Sequence, residues 1–150
     1  MAATRVLVVH GSNLNLLGER EPEIYGKTSL AEINKRIESL AGDLGLDVRI
    51  VQSNHEGEIV EAIQDARKWA SGIIINPAGF TTTSVSVLDA IASTKLPAIE
   101  VHLSNIHARE EFRQRSVVAA ATIGQISGFG PDSYLLALRG LAAHLAAHDK

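Results

Sequence analysis

The segment HGSNLNLLGEREPEIYG at residues 10–26 contains residues that could form a general base active near neutral pH. A tyrosine ordinarily has a pKa of about 10, so it accepts a proton near neutrality only where a cation stabilises its phenolate in a water-poor site. Arg20 and Tyr25 supply such a pair. The alternative is a loop tyrosine packed under a turn at residues 21–22. Both interpretations remain open from this pattern.

The segment EVHLS at residues 100–104 contains residues that could form a general acid. Alternation along a strand places Glu100 and His102 on one face, and a carboxylate behind an imidazole fixes its tautomer and raises its basicity. That arrangement suits a general acid, although a strand histidine can also be purely structural. A base and an acid at one site describe elimination or isomerisation next to a carbonyl group.

Polar side chains elsewhere could complete such a site. Asn13 and Asn76 are neutral donors suited to a developing enolate. Arg109 and Arg113 could contact an acidic or hydroxylated substrate, or form a solvated charged helix with the glutamates between them. This chemistry needs no metal and no cofactor, and we expect none.

Other site types lack their signatures. The chain has neither the G-x-G-x-x-G nor the G-x-x-x-x-G-K-[ST] spacing of nucleotide-binding loops. The hydroxyl-rich segment 79–84 could hold an anion at a helix start, but such caps are common without a ligand. His144 and His148 have the spacing of a helical metal pair without an evident third ligand. No lysine lies at the end of a predicted strand, so a Schiff base is not expected.

The composition predicts a single catalytic domain over residues 1–150 that acts on a small molecule. A chain of 150 residues with 45% hydrophobic content can bury one core. Its net charge of -3 and scattered basic residues give no footprint for nucleic acid. No apolar run approaches the ~18 residues of a membrane span. The absence of cysteine fits a reducing compartment, so we expect a cytoplasmic protein.

The candidate side chains follow short strands that must position them. Apolar runs alternate with helical patterns, which predicts a flavodoxin-like doubly wound parallel sheet of five strands in a three-layer α/β/α sandwich. The predicted strands are 5–9, 48–51, 73–75, 98–101 and 122–126, and the predicted helices are 30–40 after a capping box at Ser29, 59–69, 84–92 and 132–145. Ligands of such sheets bind at the carboxyl ends of the strands, so three polar segments should meet in one crevice.

Five ordered blocks resemble type II 3-dehydroquinate dehydratases, the small flavodoxin-like enzymes of the shikimate and quinate pathways. The blocks are GSNLNLLGEREPEIYG at 11–26, QSNHEGE at 52–58, NPAGFTTTSVSVLDA at 76–90, EVHLSNIHAREEFR at 100–113 and GFGPDSYLLAL at 128–138. The resemblance implies trans-dehydration of 3-dehydroquinate to 3-dehydroshikimate through an enolate, without a Schiff base. Aromatic amino acid biosynthesis and quinate breakdown both use this reaction, so the sequence does not separate them.

The resemblance also implies roles for individual residues. Tyr25 would accept the proton at C2 with Arg20 favouring its phenolate, and His102, oriented by Glu100, would protonate the departing C1 hydroxyl. Asn13 would hold the water or donor that stabilises the enolate. The implied substrate contacts are Asn76, Thr82, Asp89, Leu103, Ser104 and Arg113. The resemblance further implies trimers assembled into a homododecamer, in which Asp89 can reach a neighbouring subunit's site.

The segment 11–28 is expected to form an active-site lid that excludes water when it closes. Two positions depart from the family pattern, because Ser12 replaces a usual proline and Thr82 replaces a histidine that commonly contacts substrate. A threonine can still donate one hydrogen bond but carries no charge, so affinity or substrate preference could shift. A related cyclic polyol acid is therefore an alternative substrate, and a non-catalytic sensor or scaffold is an alternative function.

Overall fold

Five parallel strands form the central sheet. A computed structural model describes residues 4–19 and 21–148. Its strands are β1 (Thr4–His10), β2 (Leu46–Gln52), β3 (Gly72–Asn76), β4 (Ala98–His102) and β5 (Gly124–Ser127). They lie in the order β2-β1-β3-β4-β5 and all pair in parallel, which is the flavodoxin-like arrangement. The predicted fold class is confirmed.

Helices cover both faces of this sheet. They are α1 (Pro22–Tyr25), α2 (Leu30–Asp43), α3 (Glu56–Ala66), α4 (Val85–Thr94) and α5 (Asp132–His148). Val8 of β1 packs in the core with α2 and α5, whereas the next residue, Val9, packs in the core with α3 and α4. Strands covered on both sides read as continuous apolar runs. Among the residues that the structure describes, no helix is long and apolar enough to cross a membrane.

Side-chain caps fix where two of the helices begin. Ser29 Oγ accepts a hydrogen bond from the Glu32 N–H at 3.2 Å before α2. Ser84 Oγ accepts one from the Val87 N–H at 3.0 Å before α4. Each contact satisfies an N–H group that has no partner inside the helix. The helix starts predicted at these two serines are confirmed.

Most element boundaries lie one to three residues from the predicted ones, and local hydrogen bonds explain two of these differences. α3 begins three residues before the predicted start and ends at Ala66 rather than Trp69, because the Trp69 N–H bonds to the Ala66 carbonyl in a tighter turn. β5 begins at Gly124 rather than Thr122, because the Thr122 hydroxyl donates to the Ala119 carbonyl at 2.8 Å and closes a 3-10 turn. Side-chain bonds of this kind compete with regular backbone pairing.

Candidate active site

A cavity of about 260 Å³ opens at the carboxyl ends of β1, β3 and β4. Its walls come from the segments that follow these strands, and α1 contributes a further side chain. The predicted site residues that line it are Asn13, Tyr25, Asn76, Thr82, His102, Leu103, Ser104 and Arg113. Between β1 and β3 the winding of the chain reverses, which is where doubly wound sheets bind ligands. The three polar segments therefore meet in one crevice, as the sequence predicts.

A buried carboxylate holds the candidate acid on β4. His102 Nε2 lies 2.5 Å from Glu100 Oε2, and the Glu100 side chain is fully buried. Two more donors reach the same carboxylate, since Ser116 Oγ lies 2.7 Å from Oε1 and Gln125 Nε2 lies 2.9 Å from Oε2. Three donors therefore fix both oxygens of Glu100 in one position.

This contact leaves one imidazole nitrogen for a bound molecule. Because Nε2 of His102 donates to Glu100, a proton can be exchanged with a ligand only at Nδ1. Within residues 4–19 and 21–148, Nδ1 has no hydrogen-bond partner. His102 is 6% exposed, and it lines the cavity. The contact between Glu100 and His102 that strand alternation predicts is present.

Tyr25 ends the short helix α1, which the sequence patterns do not predict. Pro22 begins this helix where a backbone N–H would have no helical partner in any case. Glu21 and Gly26 flank it with φ angles of 41° and 81°, so the chain turns sharply on both sides. This single turn brings the Tyr25 side chain to the cavity.

The guanidinium group seen on the Tyr25 hydroxyl belongs to Arg109. Arg109 Nη1 donates to Tyr25 Oη at 2.7 Å, and its guanidinium carbon lies 5.3 Å from the centre of the tyrosine ring. The Arg109 side chain is 14% exposed, so solvent screens this contact weakly. Arg20, the predicted partner of Tyr25, lies outside the described residues. The sequence pattern alone allows two interpretations of Arg109, as a substrate contact or as part of a solvated charged helix.

Arg109 and Arg113 line the cavity, but they do not share an α-helix. The chain there forms two 3-10 turns, Ile106–Ala108 and Glu111–Arg113, so the interpretation as a charged helix is wrong. Arg113 Nε donates to Glu110 Oε2 at 2.8 Å. This hydrogen bond raises the pKa of Arg113 and lowers the pKa of the Glu110 carboxyl. Arg113 therefore stays charged at the rim of the cavity.

Contacts from neighbouring segments anchor the start of the Asn13 segment. The Gly11 N–H donates to the Asn76 carbonyl at 2.8 Å, and the Asn13 N–H donates to Asn54 Oδ1 at 2.8 Å. Asn13 has a φ of 67°, in the left-handed region that asparagine adopts more readily than most residues. A Cβ at Gly11 would lie 2.3 Å from the Pro77 carbonyl oxygen. Only glycine allows this approach of the two segments.

Asn76 is the most deeply buried of the predicted substrate contacts, with 3% of its surface exposed. Its Oδ1 accepts a hydrogen bond from the Ala78 N–H at 3.0 Å. This hydrogen bond orients the amide at the cavity wall.

Two threonines after β3 also line the cavity. Thr82, which the resemblance places where a histidine is common, is partly buried. Thr81, which the sequence patterns do not single out, is 3% exposed. Its hydroxyl has no hydrogen-bond partner in the part of the chain that the structure describes. A buried hydroxyl of this kind is unusual in native proteins.

Asp89 is the one described site residue of the prediction, apart from Glu100 behind His102, that does not line the cavity. It lies on an exposed face of α4. Its assignment to a neighbouring subunit's site stays a prediction.

Known proteins resemble this chain over most of its length. Residues 4–142 match the family described as Dehydroquinase class II. The chain belongs to this family. The 3-dehydroquinate dehydratase of Halothermothrix orenii is 57% identical over 137 residues, 91% of this chain and 93% of the relative. That of Geotalea daltonii is 55% identical over 141 residues, 94% of this chain and 98% of the relative.

A solved structure of the class II dehydroquinase family has the same fold. The type II dehydroquinase of Butyrivibrio crossotus superposes with a TM-score of 0.91 at 40% identity, over 93% of this chain and 97% of the other. The agreement extends across nearly the whole of both dehydroquinase chains, so it includes the strand ends that surround the cavity. The resemblance that the five sequence blocks indicate is therefore confirmed at the level of the family.

Three contacts of this dehydroquinase site escaped the sequence patterns. Arg109 meets Tyr25 across 84 positions of the chain, and no local spacing links them. Ser116 follows two 3-10 turns, so no periodic pattern indicates the direction of its side chain. Gln125 lies on the exposed edge strand β5, where a polar side chain needs no buried partner. The register of β4 against β5, had it been known, would have revealed this contact, because Gln125 is paired with Glu100.

Proposed function

We propose that this chain dehydrates 3-dehydroquinate to 3-dehydroshikimate, with Tyr25 as the base and His102 as the acid. The observation that carries the proposal is one cavity lined by a phenol in contact with a guanidinium and by an imidazole in contact with a carboxylate. Relatives at 55–57% identity bear the name 3-dehydroquinate dehydratase, which supports the choice of substrate.

The first step removes a proton next to the carbonyl group. Tyr25, as the phenolate, takes the proton from C2, and the electron pair of that C–H bond moves onto the carbonyl oxygen to give an enolate. Arg109, 2.7 Å from the tyrosine oxygen, supplies a positive charge beside the phenolate, and we assign the same task to Arg20. Asn13 holds the donor or water that stabilises the enolate oxygen.

The second step expels the hydroxyl group at C1 as water. The enolate electrons return to form the C1–C2 double bond while the C1–O bond breaks, and His102 gives its Nδ1 proton to the departing oxygen. Glu100 stabilises the imidazolium that precedes this transfer and keeps the ring oriented. The proton that Tyr25 has gained returns through solvent to His102, so the net change is the loss of one water molecule.

The remaining cavity residues hold the substrate in this proposal. Asn76 and Arg113 contact hydroxyl groups, and Leu103 with Ser104 receives the carboxylate. Asp89 acts from a neighbouring subunit, in a homododecamer built from trimers. The protein works in the cytoplasm, which its lack of cysteine favours. Light scattering tests the assembly, and cell fractionation tests the location.

The direct assay mixes the protein with 3-dehydroquinate and follows the ultraviolet absorbance of the conjugated enone in the product. Wild-type protein should give a steady increase, and Tyr25→Phe should lower kcat far more than it weakens binding, because only the proton-accepting site is removed. No signal at high enzyme concentration would exclude the proposal. Full turnover by Tyr25→Phe would exclude Tyr25 as the base.

A second candidate substrate is a related cyclic polyol acid, favoured by Thr82 on the cavity wall in place of a cationic side chain. Comparing kcat/KM for 3-dehydroquinate and for ring acids with altered hydroxyl groups, in wild type and Thr82→His, separates the two substrates. If 3-dehydroquinate is the substrate, Thr82→His should preserve or improve its turnover. A large loss for 3-dehydroquinate alongside higher turnover of another ring acid in wild type would favour the second candidate.

A further inference from the structure

Two amide side chains from the end of β2 hold the loop that follows β1. Gln52, the last residue of β2, donates from Nε2 to the Gly11 carbonyl oxygen at 3.3 Å. Two residues later, Asn54 accepts at Oδ1 from the Asn13 backbone N–H at 2.8 Å. Gln52 Nε2 also lies 3.2 Å from Asn54 Oδ1, so the two amides contact each other. Together the side chains of Gln52 and Asn54 form an amide clamp on this loop.

The backbone groups that the amide clamp contacts fix the orientation of both amides. The Gly11 carbonyl can only accept a hydrogen bond, so Gln52 turns its NH2 group toward it. The Asn13 N–H can only donate, so Asn54 turns its oxygen toward it. The contact between the two amides then pairs an N–H of Gln52 with the oxygen of Asn54. Within the amide clamp, Gln52 therefore acts as a donor and Asn54 as an acceptor.

The amide clamp acts on a residue whose backbone conformation needs support. Asn13 has φ 67° and ψ -2°, in the left-handed region that a residue with a side chain adopts less readily than glycine. It precedes the 3-10 turn Leu14–Leu16, but its side chain makes no capping hydrogen bond to that turn. The direction of the Asn13 side chain into the cavity wall therefore depends on its backbone, and Asn54 holds the N–H of that backbone.

We infer that Gln52 and Asn54 are positioning residues that hold Asn13 where the enolate forms. This inference rests on the proposed function, in which Asn13 holds the donor or water that stabilises the enolate. Asn13 lines the cavity, whereas Gln52 and Asn54 lie outside its walls and act through the loop. Asn13 and Asn54 are both exposed, so water can replace either partner. The contact between them therefore contributes more to the orientation of the loop than to the stability of the fold.

Two isosteric substitutions test the inference, because each changes an amide into a carboxylate and adds a negative charge. Gln52→Glu replaces the donor with an acceptor that faces the Gly11 carbonyl, so the amide clamp should open. Asn54→Asp keeps an acceptor for the Asn13 N–H, so the amide clamp should persist.

Steady-state kinetics with 3-dehydroquinate measure the two effects. We expect Gln52→Glu to lower kcat about tenfold with KM changed less than about twofold, because Asn13 stabilises the enolate rather than the bound substrate. Asn54→Asp should keep kcat within about threefold of wild type. Gln64→Glu, at an exposed glutamine of α3, is the control for the added charge. The same loss in Gln52→Glu and Asn54→Asp would overturn the inference, because charge alone would act on both.

A double-mutant cycle shows whether Asn54 acts through Asn13. Asn54→Leu removes the acceptor at similar side-chain size, and kcat should fall about tenfold. Combined with Asn13→Ala, it should be no slower than Asn13→Ala alone, whereas independent effects would multiply. Multiplied effects would contradict the inference.

Hydrogen exchange of the Asn13 N–H tests the amide clamp without any reaction. In ¹⁵N-resolved NMR spectra, this N–H should exchange about tenfold more slowly in wild type and Asn54→Asp than in Asn54→Leu. The Ile74 N–H, in the middle of the sheet, should exchange alike in all three proteins and report an unchanged fold. If this pattern appeared while wild type failed to dehydrate 3-dehydroquinate, the proposed function would fall and the amide clamp would remain. Equal exchange of the Asn13 N–H in wild type and Asn54→Leu would overturn the inference.

Discussion

At the scale of single residues, the two candidates for proton transfer, His102 and Tyr25, differ in how firmly the surrounding structure holds them. Glu100 receives hydrogen bonds from His102, Ser116 and Gln125, and it is fully buried. Tyr25 is only partly buried, on a single turn of helix, and its contact with Arg109 joins two loops. The candidate acid is thus part of the sheet, and the position of the candidate base depends on the conformation of the connecting segments.

Removing the charge of Arg109 should slow the chemical step. We expect Arg109→Met to lower kcat about ten- to a hundredfold, because a charge-assisted hydrogen bond contributes about 1.5–3 kcal/mol. Arg109→Lys should recover part of this loss, since it restores the charge without the planar geometry. Arg67→Met, at an exposed arginine away from the cavity, is the matched control. A kcat for Arg109→Met equal to that of the control would contradict the assignment.

Gln125 should help to hold the candidate acid, His102, in position, although Gln125 does not line the cavity. Gln125→Leu leaves a buried carboxylate oxygen with one donor fewer, so the Glu100 side chain and the His102 ring lose part of their fixed orientation. We expect kcat to fall about tenfold with KM nearly unchanged, as steady-state kinetics would show. Gln64→Leu, at an exposed glutamine of α3, is the comparison. Equal kinetics of the two variants would show that Gln125 has no effect on the acid.

At the scale of elements, the loop after β1 depends on a close contact between backbones. Gly11 donates to the Asn76 carbonyl, and its Cα faces the Pro77 carbonyl with no room for a methyl group. This contact sets the position from which the loop continues to Asn13 and then to α1. A displacement at Gly11 would therefore shift both Asn13 and Tyr25.

Gly11→Ala should destabilise the protein and displace this loop. A Cβ at 2.3 Å from a carbonyl oxygen forces the two segments apart, at a cost of about 1–3 kcal/mol in the free energy of unfolding. Gly57→Ala is the control, because nothing lies within 4 Å of its added Cβ and alanine favours a helix by up to about 1 kcal/mol. Chemical denaturation of both variants measures the difference. Equal stability of Gly11→Ala and wild type would show that the loop adjusts freely.

The sequence predicts elements where hydrophobic pattern and capping agree, and misses those set by tertiary contact. The central strands β1, β3 and β4 are mostly apolar because helices cover both faces, and Ser29 and Ser84 mark helix starts by local chemistry. α1 has only four residues, too few for a periodic pattern, and its place depends on the turns at Glu21 and Gly26. For this reason the sequence suggests Tyr25 as a base but not the turn that carries it.

At the scale of the whole molecule, acid should weaken the fold through His10. Burial lowers the pKa of His10 to about 4 from an ordinary value of 6.5, so between these values the unfolded chain binds a proton that the folded protein excludes. Stability therefore falls as the pH drops from 6.5 to 4, by about 3 kcal/mol for this group.

The measurement compares the pH dependence of the free energy of unfolding in wild type and His10→Asn. The carboxylates contribute equally to both proteins, so the difference between the two curves reports His10. We expect wild type to lose about 3 kcal/mol more than the variant between pH 7 and pH 4. Parallel curves would mean that His10 titrates in the folded protein as it does in the unfolded chain.

His10 also shows where prediction from sequence stops at this scale. Its place at the end of a strand is evident from the pattern, but its partners Asn34 and Tyr134 lie 24 and 124 positions away. A polar residue after an apolar run looks the same whether it faces a ligand, solvent or a buried hydroxyl. Only the packing of α2 and α5 on one face of the sheet distinguishes these cases.

The pairing of Gln125 with Glu100 has a consequence for folding as well as for chemistry. β5 is an edge strand of four residues, with two exposed and two partly buried, so its hydrophobic pattern specifies its alignment only weakly. A slip by one residue would set Gly124 or Ile126 beside Glu100, and neither side chain can donate a hydrogen bond to the buried carboxylate. The buried carboxylate would then keep only the donors on His102 and Ser116, and the loss of one donor to a buried charged group is costly. The charge on Glu100 therefore selects the correct alignment of the last strand against misaligned alternatives.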